Sequence, residues 1–197
     1  VQTCALPISL LSGLTDMETA VNSPVKEAQF LTFHIKDQVF GLDILHIKEI
    51  MEYTAVTRVP LVPAFILGIL NLRGNVVPVI DVASRFGWPK TDITRLTCIV
   101  VTEIEYEGSQ LDIGLVVDAV NEVVKLSMDN IEQPPNFGTN IRADFVHHVG
   151  KTPGGFVLLL SIARLLDVDE IQKLRSLAKE RGDANADAPT KSELTLV

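Results

Sequence analysis

Residues 68–81 read Gly-Ile-Leu-Asn-Leu-Arg-Gly-Asn-Val-Val-Pro-Val-Ile-Asp, and this stretch decides the fold. An apolar run, Phe65 to Leu70, leads into Asn71-Leu72-Arg73-Gly74. That tetrapeptide is a turn with a charge at its tip, because Gly74 takes at no steric cost the positive φ that a sharp reversal needs. Beyond it Val76, Val77, Val79 and Ile80 form the β-branched run expected of a buried strand. Pro78 interrupts that run, and proline donates no ladder hydrogen bond. The strand is therefore expected at a sheet edge or with a bulge at Pro78. The pattern is a hairpin that holds one cation, Arg73, on a tight loop between apolar strands.

Outward from this hairpin the same texture continues. Phe30, Leu31, Phe33 and Ile35 predict a strand, and Val39 to Leu42 predict its return across a Lys36-Asp37-Gln38 turn. Ile44–Glu52 carries two periods. Ile44, Ile47 and Met51 fit a helix, whereas Ile47, Glu49 and Met51 alternate as a strand does. Three more strands are predicted over Leu96–Ile104, Leu111–Val117 and Ala119–Leu126. A further pair lies at Val146–Val149 and Phe156–Ser161. Asp169–Lys179 has a helical apolar face of Ile171, Leu174, Leu177 and Ala178, with Asp169 and Glu170 at its favourable N-terminal end. Many short strands with Gly and Pro turns predict an all-β barrel class with a C-terminal α-helix.

Composition narrows the function. With 47% hydrophobic and 21% charged residues among 197, the chain has material for a real core. A net charge of −8 disfavours a general nucleic-acid binder or an anionic-membrane binder. Cys4 and Cys98 match no metal spacing, and no apolar run reaches the roughly 18 residues of a membrane span. His34, His46, His147 and His148 show no ligand spacing, and the last two face opposite ways in an extended strand. No serine sits in a nucleophile elbow. Asp81 and Asp118 each follow an apolar strand, where a turn or cap is the ordinary role. No enzyme activity, cofactor or metal is expected.

The spaced motifs agree with one family. Pro63-Ala64-Phe65-Ile66-x-Gly68, Asn71-Leu72-Arg73-Gly74 and Pro78-Val79-x-Asp81 resemble the CheW family of chemotaxis coupling proteins. So do Phe40–Ile50, Gly114–Val120 and Leu158–Leu166, in the same order. The resemblance implies two SH3-like five-stranded β-barrels packed together. It implies a non-catalytic adaptor or scaffold that couples chemoreceptor signalling tips to the regulatory domain of a CheA-type histidine kinase, part of a two-component system. The location implied is cytoplasmic, at receptor arrays on the inner face of the membrane, without membrane insertion and without nucleic acid. It also implies protein-binding roles for Arg73, Glu49 and Ile47. Gly68, Asn71, Leu72, Gly74, Pro78 and Asp81 match the motif in positions read as structural. The alternatives are a small-ligand-binding β-barrel and a fragment of a CheV-like fusion with a receiver domain.

The expected organisation is a disordered leader over 1–28, a double-barrel domain over 29–177 and a flexible tail over 178–197. The sub-barrels are expected to meet near residue 75. Val1–Ile8 back-translates to a common sequencing-adapter end, so these eight residues are read as artefact, with a start at or near Met17.

Overall fold

The computed structural model describes residues 27–106, 108–134 and 145–166, and beyond them Asp169, Glu170, Gln172, Lys173 and Ser176. The leader as far as residue 26, the adapter-like start with Cys4, and the tail lie outside the described residues. The chain runs β1 (Glu27–Ile35), β2 (Gln38–Asp43), a 3₁₀ turn (Ile44–His46), β3 (Ile47–Glu52), β4 (Ile66–Leu72) and β5 (Asn75–Asp81). After a one-turn helix, α1 (Val82–Arg85), come β6 (Cys98–Tyr106), β7 (Ser109–Val117), β8 (Ala119–Ser127) and a second 3₁₀ turn (Met128–Asn130). Then follow β9 (Ile131–Glu132), β10 (Val146–Thr152), β11 (Gly155–Leu160) and a second one-turn helix, α2 (Ile162–Leu165). The described residues of the predicted C-terminal helix are helical, and Ser176 donates its hydroxyl to the Gln172 carbonyl at 3.0 Å. Both periods in Ile44–Glu52 are explained: one 3₁₀ turn precedes a strand.

Two sheets result. One has six strands in the order β8-β1-β2-β11-β10-β9, the other five in the order β3-β6-β7-β5-β4. Among the described residues the five-stranded sheet uses β3 to β7, and the six-stranded sheet uses the strands before and after them. The chain therefore changes sheets between Asp43 and Ile47 and again between Val117 and Ala119. Residue 75, where the sub-barrels were expected to meet, instead starts β5 inside the five-stranded sheet. Glu27 and Ala28, assigned above to the leader, begin β1.

Each sheet curls until its edges approach. In the five-stranded sheet the segment after β3 crosses to the opposite edge. There Thr57 and Ile69 of β4 exchange two backbone hydrogen bonds of 2.9 Å each. Gly68 makes this closure sterically possible. Its φ is +150°, and a Cβ there would lie 2.2 Å from the Thr57 carbonyl oxygen. In the six-stranded sheet the second 3₁₀ turn carries the chain from edge strand β8 to edge strand β9.

Curling yields three apolar layers. Val77, Val79, Ile99, Val101 and Val116 pack as one small core, and Phe30, Leu126, Val157 and Leu159 as another. The largest core lies between the sheets, where Phe33, Phe40 and Leu42 meet Ile80, Val100, Ile113 and Leu115. A strand buried on both faces needs apolar residues without alternation. β6 shows it: Ile99 and Val101 enter one core and Val100 the other.

Pro78 corrects the expectation of an edge. β5 lies between β4 and β7. Pro78 pairs with Ile69, whose own backbone groups turn away to Thr57. The missing N–H of Pro78 therefore faces β7, and the β5–β7 ladder begins only at Val79. The bulge is carried by β4, between Ile66 and Gly68.

Candidate functional site

The β4–β5 turn has two central residues, Arg73 (φ 53°) and Gly74 (φ 91°), flanked by the pair Leu72 and Asn75. Positive φ at both central positions is the type I′ geometry, whose twist matches that of the flanking strands. Arginine there costs about 1–2 kcal/mol relative to an ordinary backbone conformation. Its neighbours hold it in place. Asn71 Oδ1 accepts the Gly74 N–H at 2.9 Å, and Leu72 packs against the small core of its sheet.

The turn projects the guanidinium over the seam of the curled sheet. Arg73 Nη2 lies 2.9 Å from Glu49 Oε2 on β3, the strand at the opposite edge. The Arg73 side chain is 79% exposed and that of Glu49 32%, so the pair stands open to a partner. Two residues singled out from sequence thus meet in space. Ile47 does not join them. A register shift between Ile47 and Glu49 places Lys48 on a bulge, and Ile47 turns to the large core between the sheets.

Lys48 and Ile50 were not singled out in the sequence. The bulge swings Lys48 onto two acids that face each other across β6 and β7, Glu103 and Asp112. Its ammonium donates to Asp112 Oδ1 at 2.6 Å and pairs with Glu103. Those hydrogen bonds, Asp112 first, raise its pKa above the ordinary lysine value. Opposed like charges destabilise a cross-strand pair, and Lys48 offsets this. Ile50, 43% exposed, follows Glu49 on β3 and points to the opposite face of the strand. The only sequence signal for either was the motif around Glu49, because a bulge leaves no period of its own.

Asp81 is 1% exposed and fully engaged. It accepts hydrogen bonds from the Ser84 hydroxyl (2.6 Å), the Thr91 hydroxyl (3.0 Å) and the Thr91 N–H (3.2 Å), tying the end of β5 to the following loop.

A cleft of about 570 Å³ opens where the two sheets meet, with Phe30, Ile104 and Ile162 on its walls and His46, His147 and His148 at its polar margin. The last two were expected to face opposite ways. A register shift between Val146 and His148 brings their rings together instead, 4.1 Å apart and nearly perpendicular. Burial, then His147 and Arg164, push the His148 pKa below the ordinary value. Among the described residues no group of three or more His, Cys, Asp or Glu is placed to hold a metal. None of the described helices is long and apolar enough to cross a membrane.

Comparison with known proteins gives a consistent result. A family model described as the CheW-like domain matches residues 29–170. The chemotaxis protein CheW of Treponema pallidum is 30% identical over 162 residues, covering 80% of this chain and 92% of its own. That of Klebsiella aerogenes is 30% identical over 169 residues, covering 86% and 99%. The crystal structure of the scaffolding protein TtCheW from Thermoanaerobacter tengcongensis superposes with a TM-score of 0.66 at 34% identity, covering 74% of this chain and 96% of its own.

Proposed function

The chain belongs to the CheW-like domain family, and on that premise we propose that it is a non-catalytic adaptor that couples chemoreceptors to a CheA-type histidine kinase in chemotaxis signalling. The observation that carries the reading to named residues is the exposed Arg73–Glu49 pair at the seam of the five-stranded sheet. An Arg fork on a rigid turn offers bidentate recognition of a partner's carboxylate or carbonyl groups. We assign the kinase regulatory domain to this surface. Gly68 supports the surface by closing the sheet, and Asn71, Leu72 and Gly74 by shaping the turn, while Pro78 and Asp81 serve β5 and the loop after it.

The receptor's helical signalling tip is assigned to the cleft between the sheets, whose walls are apolar and whose margin is polar. Two separate faces on one rigid body suit a coupling protein. Each contact is modest, and an array of many such contacts gains avidity. The working location is the cytoplasmic face of the membrane, where receptor tips lie. A small-ligand barrel gains no support from the interiors of the sheets. Valines and isoleucines fill one, and Phe30, Leu126, Val157 and Leu159 fill the other.

The test is binding of the purified chain to a receptor tip fragment and to the kinase regulatory domain, followed by kinase activation in a reconstituted array. A small-molecule thermal-shift screen runs beside it. Binding of both proteins with kinase activation supports the adaptor. Stabilisation by a small molecule with neither protein bound sinks it.

A further inference from the structure

Arg85, the last residue of α1, joins parts of the chain that are remote in sequence. Its Nε donates to the Leu165 carbonyl at 2.5 Å. Nη1 and Nη2 fork onto the two carboxylate oxygens of Glu170, each at 2.9 Å. The guanidinium carbon lies 4.6 Å from the centre of the Phe65 ring and 5.3 Å from that of Phe145. Side-chain exposure is 11% for Arg85 and 16% for Glu170, so this ion pair, unlike Arg73–Glu49, is withdrawn from water. A forked, stacked and shielded guanidinium has little freedom left.

The contact spans the two sheets. α1 follows directly from β5 of the five-stranded sheet, and α2 follows β11 of the six-stranded sheet. α2 is a single turn with no side-chain cap at its N-terminus. Such a turn has little intrinsic stability, and a cation at its C-terminal carbonyl groups is favourable. Leu165 of α2 receives Arg85, while Ile162 and Ala163 of the same turn line the cleft. What Arg85 grips from behind, the cleft presents in front.

We infer that Arg85 is a positioning residue for the cleft: with Glu170 it fixes α2 against the five-stranded sheet and so sets the wall that receives the receptor's helical tip. This rests on the assignment of the receptor to the cleft. It makes the Arg85–Glu170 fork a determinant of receptor affinity, although neither residue lines the cleft.

The experiment uses the full chain and two variants. Glu170→Gln keeps the size and the Leu165 and ring contacts but removes the carboxylate. Arg85→Lys keeps the cation but loses the fork. Affinity is measured for the receptor tip fragment and, separately, for the kinase regulatory domain, with amide exchange over residues 162–166 as the structural readout. Expected are faster exchange in α2 and receptor affinity lower by about 5- to 20-fold, the size of a typical coupling between sites. Arg85→Lys should show the larger loss, and kinase-domain affinity should stay within about twofold, because the Arg73–Glu49 surface is elsewhere. Should Arg85→Lys fail to fold, Glu170→Gln alone decides. Unchanged receptor affinity, or equal losses for both partners, overturns the inference. If the wild-type chain itself does not bind the receptor fragment, the cleft assignment fails and this inference with it. Faster exchange in the variants would then leave Arg85 as a clamp of the fold only.

Discussion

Arg73 and Glu49 lie 2.9 Å apart across the seam at which the five-stranded sheet closes on itself. Each sits on an element from an opposite edge of that sheet, the β4–β5 turn and β3. The ion pair holds the guanidinium at a fixed place on an exposed surface. Exposed pairs contribute only about 0.2–1 kcal/mol to stability. Its value is therefore expected in orientation and recognition.

Replacement of either member should separate binding from folding. Arg73→Ala should weaken binding to the kinase regulatory domain by about 2–5 kcal/mol if the partner buries the guanidinium against a charge, and by less at a rim. Arg73→Lys should lose part of this, because an ammonium has no planar fork. Glu49→Arg should also weaken binding, by charge reversal and by setting two cations face to face. Titration calorimetry reads the affinity and thermal melts the stability. Wild-type binding by Arg73→Ala would remove this pair from the functional surface.

Gly68→Asp should act through the fold. The new Cβ would meet the Thr57 carbonyl oxygen at 2.2 Å, and the residue would be held at φ +150°. Relief of that clash disrupts the Thr57–Ile69 bonds that close the sheet. A loss of about 3 kcal/mol is expected from backbone strain and broken hydrogen bonds together. Partner binding should fall with it, since Arg73 and Glu49 face each other only across a closed seam. Denaturant unfolding with an unchanged midpoint would show that the closure is dispensable.

Asp81→Ala should destabilise the chain by about 3 kcal/mol. It removes the acceptor of three hydrogen bonds and leaves the buried Thr91 without its carboxylate partner. At temperatures where the variant remains folded, its affinity for both partners should match the wild type. A specific loss of binding without a loss of stability would move Asp81 from the scaffold to the binding surface.

The cleft histidines predict an acid-side loss of stability. His148 is held below its ordinary pKa of 6.5, chiefly by burial. Below about pH 6.5 the unfolded chain therefore takes up protons at this site more readily than the folded one. The contribution is complete above pH 6.5 and is lost as the pH falls from there towards the depressed folded value. Melting temperatures compared at pH 7.5 and pH 5.5 should drop less for His148→Gln than for the wild type. Equal drops would assign the acid sensitivity to other groups.

The sequence by itself determined the β-rich class, the hairpin around Arg73-Gly74 and the family, because these are written locally. β-branched runs set strands, a glycine marks a reversal, and several motifs in one order identify relatives. Asn71 and Gly74 could be read as turn residues because their backbone preferences are their own. Tertiary structure alone decided which strands pair, and everything that depends on pairing. β1 and β2 share a sheet with β8 to β11 across an intervening five-stranded one, which no local period records. Pro78 lies in an interior strand, tolerated because the ladder on its N–H side starts one residue later. Bulges at Lys48 and between Val146 and His148 turned Ile47 away from Glu49 and brought two consecutive histidines together. A bulge is a mismatch between two strands, so neither strand's sequence contains it. No motif or period in the sequence marks Arg85. Its fork to Glu170 exists only because packing of the two sheets brings their ends together and excludes water from the pair.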